Sequence, residues 1–252
     1  MPSSGGHTLA VSDLSAVIFD MDGVVTATAK VHAEAWRRMF DEFLEAHSSS
    51  RDADLRPFDP HDDYLRYVDG KPRFDGAKSF LESRGFVLPD GHPDDPPDAD
   101  TVWGISARKQ QYFLEALRQH GADPYQDTLE FISALKSRGL PIAIITASRN
   151  CDEVLAAAGV SGLFDAKVDG NDALRLGLAG KPAPDVFLEA ARRLRVSPQR
   201  SVVVEDAEAG VAAGRAGGFG LVIGVDRAGH ADSLKAAGAD IVVSDLSEVH
   251  LK

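Results

Sequence analysis

The sequence predicts an α/β fold in which a doubly wound parallel sheet is interrupted by an inserted α-helical segment. Short runs of residues are apolar at every position, as is expected for parallel strands that helices cover on both faces. Helical patterns separate these runs, and such alternation is typical of a doubly wound sheet. Residues 28–120 contain helical patterns without a buried strand, which indicates an insertion.

The apolar runs give the predicted strands, because β-branched residues favour strands over helices in runs this short. The first run, 16–19, ends at Asp20. After the insertion we expect strands at 141–146, 201–204, 220–224 and 240–243. Helical patterns lie between them at 129–138, 152–158, 184–194 and 208–216. Together these elements predict a Rossmann-like core domain built from residues 1–27 and 121–252.

Amphipathic patterns predict that the insertion, residues 28–120, is a helical domain. They cover residues 31–44, 76–84 and 106–118. Trp36, Phe40 and Phe43 lie on one face of the first of these helices, so we expect them in the core of this domain. The polar stretches 47–63 and 89–100 have a turn composition and are predicted to be solvated loops.

The composition of the 252 residues limits the partners of the chain. Hydrophobic residues make up 44%, which is enough for a substantial core and excludes a disordered or collagen-like chain. The 39 acidic residues exceed the 27 basic ones, which gives a formal net charge of −12. An acidic surface repels nucleic-acid phosphates and anionic lipids, so we expect neither a nucleic-acid nor a membrane partner.

Cysteine usage and hydrophobicity indicate the compartment. The one cysteine, Cys151, cannot close an internal disulfide or build a multi-cysteine zinc site. No run approaches the roughly 20 apolar residues that cross a bilayer, and the first residues lack the pattern of a signal peptide. We therefore expect a soluble cytoplasmic protein.

Charged and hydroxyl side chains follow the predicted strands. Asp20 and Asp22 follow the first strand, Thr146 the second, and Glu205-Asp206 a later one. Because ligands bind beyond the carboxyl ends of the strands in an open α/β sheet, we expect these groups to converge. Converging carboxylates repel one another unless a cation lies among them, and hard oxygen ligands suit Mg²⁺.

An anion pocket is predicted beside these carboxylates. Thr146 lies where the next helix begins, and its hydroxyl can bind an anion together with the backbone N–H groups there. Lys181 would add a positive charge. A metal, an anion pocket and paired carboxylates predict phosphoryl transfer, with one carboxylate as nucleophile and a second as general acid and base.

Four motifs, in order, resemble those of the haloacid-dehalogenase superfamily: 20–26, 146–148, Lys181-Pro182 and Glu205-Asp206. The run 181–185 and the sequence Asp-Gly-Val-Val-Thr at 22–26 resemble its β-phosphoglucomutase branch in particular. The resemblance covers nearly the whole chain, and the helical insertion corresponds to the mobile cap of that family. One such motif is weak evidence, whereas four in order at strand ends are highly specific.

The resemblance implies a role for each motif residue. Asp20 is the nucleophile that forms an aspartyl phosphate, and Asp22 is the general acid and base, whose main-chain carbonyl also binds the metal. The implied Mg²⁺ site consists of Asp20, Asp22, Glu205 and Asp206. The transferring phosphoryl group is held by Thr146, the N–H of Ala147 and Lys181.

The same resemblance implies a second set of site residues. Thr28 and His32 correspond to positions at the hinge and the catalytic face, and Lys109 pairs with His32 to orient Asp22. Arg73 corresponds to the cap arginine that binds the phosphate that is not transferred. The core-side partners of that contact are Ser148, Arg149 and Asn150. Ala27 departs from the family pattern, because the branch usually has an acidic residue there.

The branch implies a mutase that converts β-glucose 1-phosphate to glucose 6-phosphate through glucose 1,6-bisphosphate, which would also be its activator. Two alternatives stay open. A sugar-phosphate phosphatase would use the same Asp20 and Asp22, with water attacking the aspartyl phosphate. A non-catalytic cation-binding domain would give no reason for Thr146 and Lys181. For an enzyme we expect a small phosphosugar as partner, and a monomer whose cap opens and closes.

Overall fold

Two compact units make up the chain. The computed structural model describes residues 6–48 and 53–252, and of Ala29 only the backbone. Ala122–Lys252 form an α/β unit together with the described residues up to Ala27, and Thr28–Gly121 form a helical unit. Residues 1–5 of the predicted core domain and residues 49–52 of the predicted loop 47–63 lie outside the described residues. Within the described ranges, no helix has both the length and the apolar character needed to cross a membrane.

The strands of the α/β unit are short and parallel. In chain order they are β1 (His7–Leu9), β2 (Ala16–Asp20), β3 (Ile142–Ile145), β4 (Ala166–Val168), β5 (Ser201–Glu205), β6 (Leu221–Val225), β7 (Ile241–Val243) and β8 (Val249–Leu251). One sheet has the order β4-β3-β2-β5-β6-β7, and β1 pairs with β8 in a separate sheet. The first order is that of a doubly wound sheet, whose switch point lies between β2 and β5. The predicted α/β fold class is confirmed.

The helical unit contains α1 (Ala29–Ala46), α2 (Arg73–Ser83) and α3 (Val102–His120), with a π-helical turn at Tyr64–Val68. Helix α3 begins earlier than the predicted 106, because the Thr101 hydroxyl accepts a hydrogen bond from the main-chain N–H of Gly104 at 3.0 Å. The core of the unit is aromatic, as the sequence predicts. The Phe40 ring centroid lies 5.1 Å from that of Trp36 and 3.9 Å from that of Phe80.

The helices of the α/β unit are α4 (Gln126–Ser137), α5 (Cys151–Ala157), α6 (Gly170–Leu176), α7 (Asp185–Leu194), α8 (Glu208–Ala216) and α9 (Ala231–Ala237). One hydrophobic cluster contains Phe187 of α7, Val211 of α8, and the strand residues Ile18 and Val203. Helices α7 and α8 therefore pack on the sheet and fix the loops that precede them, which carry candidate site residues.

Some elements of the α/β unit escape the sequence prediction because they are short and polar. Strand β4 has Lys167 at its centre, and the Lys167 ammonium forms an ion pair with Asp152 at 2.6 Å. Helix α6 begins with Gly-Asn and depends on Asp169, whose side chain accepts hydrogen bonds from the main-chain N–H groups of Asn171 and Asp172 at 2.9 Å. Neither element has the apolar periodicity on which the prediction relied.

Candidate active site

A lysine and two carboxylates meet at the switch point of the sheet. Strands β2 and β5 pair with Phe19 opposite Val204, so their ends bring Asp20 and Glu205 together. Lys181 Nζ lies 2.5 Å from Asp20 Oδ1 and also donates to Glu205 Oε1. All three charged side chains are buried. The predicted site residues Asp20, Lys181 and Glu205 therefore form one buried charge cluster.

Glu205 uses both carboxylate oxygens to support this cluster. Its Oε1 accepts from Lys181, and its Oε2 accepts from the main-chain N–H groups of Asp206 and Ala207, each at 2.9 Å. Gly210 is required nearby, because a Cβ at that position would lie 1.8 Å from Glu205 Oε1. Gly210 is not among the predicted site residues, since a glycine in a small-residue helix carries no signal of this contact.

Asp206 lies against the loop that follows Asp20. Gly23 has a φ of +87°, and a Cβ there would lie 1.7 Å from Asp206 Oδ2. Only glycine allows both this backbone conformation and this close approach. As a result, Asp20, Glu205 and Asp206 each present a carboxylate oxygen, and these atoms all lie within 4.8 Å of one another.

This acidic cluster fits a divalent cation. Its donors are all oxygens, which is the ligand set that Mg²⁺ prefers, and a cation would relieve the repulsion among the carboxylates. The cluster contains three of the four residues that the sequence assigns to the metal. The fourth, Asp22, contributes its main-chain carbonyl in that assignment rather than its side chain.

Burial and the neighbouring charges together set the pKa values in the charge cluster. Desolvation raises the pKa of Asp20 well above its usual range; the Lys181 charge lowers this pKa, whereas the Glu205 and Asp22 charges raise it. Burial lowers the pKa of Lys181, but the charges of Asp20 and Glu205 outweigh burial and raise that pKa above its usual value. Lys181 therefore stays a cation, and a metal ion beside Asp20 would favour the ionised carboxylate.

Asp22 and the predicted phosphate-binding loop are also brought together. The Thr146 hydroxyl donates to Asp22 Oδ2 at 3.0 Å and accepts from the main-chain N–H of Ser148 at 3.0 Å. The Ser148 hydroxyl accepts from the main-chain N–H of Asn150 at 3.2 Å. Thr146 and Asn150 are buried. These bonds order the loop between β3 and α5 and connect it to the predicted general acid.

Arg149 and Ala147 complete this loop. Arg149 is exposed, and its Nε donates to Asn171 Oδ1 at 2.9 Å, while Asn171 Nδ2 donates to the main-chain oxygen of Arg149 at 2.9 Å. Ala147 is half-buried. A Cβ at Gly170 would lie 2.5 Å from the main-chain oxygen of Ala147. The loop is therefore held by α6, none of whose residues is among the predicted site residues.

Within the helical unit, the structure brings His32 and Lys109 together. Lys109 Nζ lies 2.7 Å from His32 Nδ1. An ammonium only donates, so Nδ1 accepts and the ring proton is on Nε2. The His32 ring stacks on Phe113 with centroids 4.1 Å apart, and the Lys109 ammonium lies 5.0 Å from the ring centroid of Trp36. Packing and one charge-assisted hydrogen bond therefore fix the imidazole.

Arg73 and Thr28 lie at helix starts of the same unit. Arg73 begins α2, and its Nη1 donates to Gln110 Oε1 on α3. Thr28 is buried just before α1, and its main-chain oxygen accepts from the main-chain N–H of His32 at 2.8 Å. Gln110 is absent from the predicted site residues, because a glutamine on an amphipathic helix gives no chemical signal in the sequence.

Comparison with known proteins gives the family. A model of haloacid dehalogenase-like hydrolases matches residues 14–218. A β-phosphoglucomutase of Mycobacterium tuberculosis (strain CDC 1551 / Oshkosh) is 45% identical over 237 residues, which are 93% of this chain and 90% of that protein. A phosphorylated carbohydrates phosphatase of Thermotoga maritima is 27% identical over 216 residues, which are 84% of this chain and 85% of that protein.

A solved structure agrees with these relatives. The β-phosphoglucomutase of Clostridium difficile superimposes with a TM-score of 0.71 at 25% identity, covering 93% of this chain and 92% of that one. Fold and site together define an enzyme of the class that transfers or hydrolyses phosphoryl groups. The chain belongs to the haloacid-dehalogenase superfamily and, within it, to the β-phosphoglucomutase-like branch. The family predicted from the four motifs is confirmed.

Proposed function

We propose that the chain is a Mg²⁺-dependent β-phosphoglucomutase that converts β-glucose 1-phosphate to glucose 6-phosphate through glucose 1,6-bisphosphate. One observation carries the proposal: Asp20 contacts the Lys181 ammonium and shares an acidic cluster with Asp206, which is the setting that a nucleophilic carboxylate needs for phosphoryl transfer. The 45% identity to a protein named β-phosphoglucomutase favours a mutase over a hydrolase.

Asp20 is the proposed nucleophile. One of its carboxylate oxygens attacks the phosphorus of the sugar phosphate, and the bond between phosphorus and the sugar oxygen breaks. The products are an aspartyl phosphate and a sugar hydroxyl. Lys181, whose ammonium is 2.5 Å from Asp20 Oδ1, stabilises the charge of the phosphoryl oxygens during this transfer.

Asp22 is the proposed general acid and base. It gives a proton to the sugar oxygen as that bond breaks, and it takes the proton of the hydroxyl that later attacks the aspartyl phosphate. In the mutase this hydroxyl is on C6 of β-glucose 1-phosphate, and the bisphosphate so formed then returns its C1 phosphoryl group to Asp20. The Thr146 hydroxyl, 3.0 Å from Asp22 Oδ2, holds the acid in place.

The proposed cation ligands are the carboxylates of Asp20 and Asp206 with the main-chain carbonyl of Asp22. In this proposal Glu205 lies beside the cation ligands and does not bind the cation itself, because its two oxygens already accept hydrogen bonds from Lys181 and from the main chain. When bound, Mg²⁺ supplies positive charge that orients and neutralises the phosphoryl group. Glucose 1,6-bisphosphate is the proposed activator, since it can phosphorylate Asp20 at the start.

The remaining predicted residues are proposed to bind the phosphate that is not transferred or to support Asp22. Arg73 is the proposed contact of the phosphate that is not transferred, with the loop 148–150, and the His32–Lys109 pair is the proposed support of Asp22. Arg73→Ala should raise the bisphosphate concentration needed for half-maximal activity by about tenfold, the loss expected for a charge-assisted contact. Arg66→Ala, at an exposed arginine of the same unit, is the control. An unchanged bisphosphate requirement in Arg73→Ala would remove Arg73 from the site.

The function is tested by product analysis. The purified protein is given β-glucose 1-phosphate, Mg²⁺ and a trace of glucose 1,6-bisphosphate, and glucose 6-phosphate is measured against free phosphate. A mutase gives glucose 6-phosphate in large excess. Asp20→Asn should abolish turnover, whereas Asp98→Asn, which makes the same charge change at an exposed loop position, should leave it unchanged. Free phosphate as the main product would refute the mutase.

A sugar-phosphate phosphatase is the second candidate, because the Thermotoga maritima relative carries that activity in its name. Asp20 and Asp22 would keep their roles, and water would discharge the aspartyl phosphate. Reaction in ¹⁸O-labelled water separates the two functions. A phosphatase places the label in the phosphate released, whereas a mutase transfers the phosphoryl group without incorporating it.

A further inference from the structure

His230 contacts the main chain of a proposed metal ligand. It lies between β6 and α9, and its Nε2 is 3.0 Å from the main-chain oxygen of Asp206. A carbonyl oxygen only accepts, so Nε2 carries the ring proton and donates it. His230 is outside all four family motifs named above, and this bond connects it to the last of them.

Asp226 fixes the loop that presents His230. Its Oδ1 accepts hydrogen bonds from the main-chain N–H groups of Ala228, Gly229 and His230, at 3.2, 2.6 and 2.9 Å. Its Oδ2 accepts from the main-chain N–H of Ala231 at 3.2 Å. The His230 side chain is 16% exposed, and its Nδ1 lies 3.5 Å from Asp226 Oδ1. The imidazole is therefore held in one orientation by an ordered loop.

Hydrogen bonds hold both main-chain groups of Asp206, the N–H and the carbonyl. Its main-chain N–H donates to Glu205 Oε2 at 2.9 Å, and its main-chain oxygen accepts from His230. Its carboxylate lies where a Cβ of Gly23 would be. A metal ligand binds more tightly when neighbouring groups fix its position beforehand. Of these contacts, the one from His230 comes from a loop that has no part in the proposed chemistry.

We propose that His230 is a positioning residue for the divalent cation. Its Nε2–H holds the main-chain carbonyl of Asp206, and thereby keeps the Asp206 carboxylate beside that of Asp20. The inference rests on the proposed metal site and adds to it a residue that touches neither the metal nor the substrate. The donor at Nε2, rather than the volume of the ring, is the property that matters.

Variants of the whole 252-residue chain separate the effect of the Nε2 donor from that of the ring. His230→Phe keeps the ring and removes the donor, and His230→Gln keeps a donor at about the position of Nε2. His230→Asn is polar but too short to reach the Asp206 carbonyl. His250→Phe, at an exposed position on β8, is the matched control. Binding of Mn²⁺ is measured by electron paramagnetic resonance, Mg²⁺ is measured by competition, and circular dichroism with thermal unfolding checks the fold.

We expect His230→Phe and His230→Asn to weaken Mn²⁺ and Mg²⁺ binding about threefold to tenfold, the value of one hydrogen bond. His230→Gln and His250→Phe should bind as the wild type does. In turnover, the Mg²⁺ concentration for half-maximal rate should rise in His230→Phe, while kcat at saturating Mg²⁺ stays near that of the wild type. If His230→Phe does not fold, the comparison of His230→Asn with His230→Gln decides the same question.

Either of two results in the His230 variants would overturn the role of His230. One is unchanged metal affinity in the variants that lack the donor, and the other is equal weakening in His230→Gln and His230→Asn. The proposed metal site has its own test, because Asp206→Asn should weaken Mn²⁺ binding strongly. A wild-type protein that binds no Mn²⁺ would refute the metal site together with this inference. Binding that is lost in Asp206→Asn but unchanged in His230→Phe would refute the role of His230 alone.

Discussion

One carboxylate oxygen of Glu205 accepts a hydrogen bond from the buried Lys181 ammonium, and the other oxygen accepts hydrogen bonds from two main-chain N–H groups. A glutamine at this position has the same shape, but only its amide oxygen can accept a hydrogen bond. Donors lie beside both oxygens of Glu205, so the amide leaves at least one of them unsatisfied. We therefore expect Glu205→Gln to lower the free energy of unfolding by about 1–3 kcal/mol, the cost of an unsatisfied buried donor. Urea denaturation measures the change.

The control for this prediction is Glu208→Gln, which removes the same charge at an exposed position of α8. Its free energy of unfolding should stay within about 0.5 kcal/mol of the wild type. Equal losses in the two variants would mean that the acceptor pattern of Glu205 has no special value.

Thr146 is predicted to act through its hydroxyl, which donates to Asp22 and accepts from the main chain of Ser148. Thr146→Val keeps the volume and removes both bonds, so we expect kcat to fall by about tenfold or more as the general acid loses its orientation. Thr146→Ser keeps the hydroxyl and should retain most of the activity. Steady-state kinetics on a sugar phosphate measure the difference, and similar rates in both variants would contradict it.

A substitution at Gly23 tests whether the close approach of the Asp206 carboxylate to this glycine matters for metal binding. In Gly23→Ala the new Cβ would meet Asp206 Oδ2 at 1.7 Å, so either the Asp206 carboxylate or the loop that carries residue 23 must shift. We expect divalent-cation affinity to fall by about tenfold or more, as for other disturbances around metal ligands. Calorimetric titration with Mg²⁺ measures the affinity.

Gly139→Ala is the matched control for Gly23, because Gly139 also has a positive φ, +73°, but has no atom within 4 Å of an added Cβ. This variant carries the backbone strain alone, which costs about 1 kcal/mol of stability. Its metal affinity should equal that of the wild type. Loss of affinity in both glycine variants would attribute the effect to strain rather than to the contact with Asp206.

Acid stability depends in part on Glu189. Hydrogen bonds from Arg192, and then from Arg193, lower the pKa of Glu189 to about 2 from its ordinary value of 4.5. Because the pKa is lower in the folded state, the stabilisation is complete above about pH 4.5 and is lost as the pH falls towards 2. The urea midpoint should therefore fall less between neutral pH and about pH 3 in Glu189→Gln than in the wild type.

Glu153→Gln, at an exposed position of α5, is the control for the pH experiment and should keep the wild-type dependence. If Glu189→Gln loses stability with acid as steeply as the wild type does, the hydrogen bonds of Glu189 do not contribute to acid stability.

Much of the site could be predicted because parallel strands carry their polar residues to one edge of the sheet. Asp20, Thr146 and Glu205 each follow a continuous apolar run, and the run is a stronger signal in the sequence than any single polar residue. The sequence predicts only that these groups converge at one edge; the strand order in the structure is what places Asp20 beside Glu205. The positions of these residues follow from the pattern, whereas their roles at the site stay predictions.

Other features depend on contacts that a pattern cannot express. Nothing in the run 226–230 indicates that His230 reaches the main chain of Asp206, because that bond depends on the spacing of β5 and β6. Likewise Asp169 starts α6 with a side-chain bond rather than with apolar periodicity. Such contacts join residues through the main chain, and main-chain groups are the same at every position in the sequence.

The strand order also determines when β2 can pair with its neighbours while the chain is being synthesised. Strand β2 emerges from the ribosome before its partner β5, which follows only after the whole helical unit, β3 and β4. At about 5–20 residues per second, the apolar strand that ends in Asp20 waits on the order of ten seconds or more for Glu205. The edge of β2 that pairs with β5 therefore stays unpaired in the nascent chain until β5 has been synthesised, and the charge cluster cannot form before Glu205 has emerged.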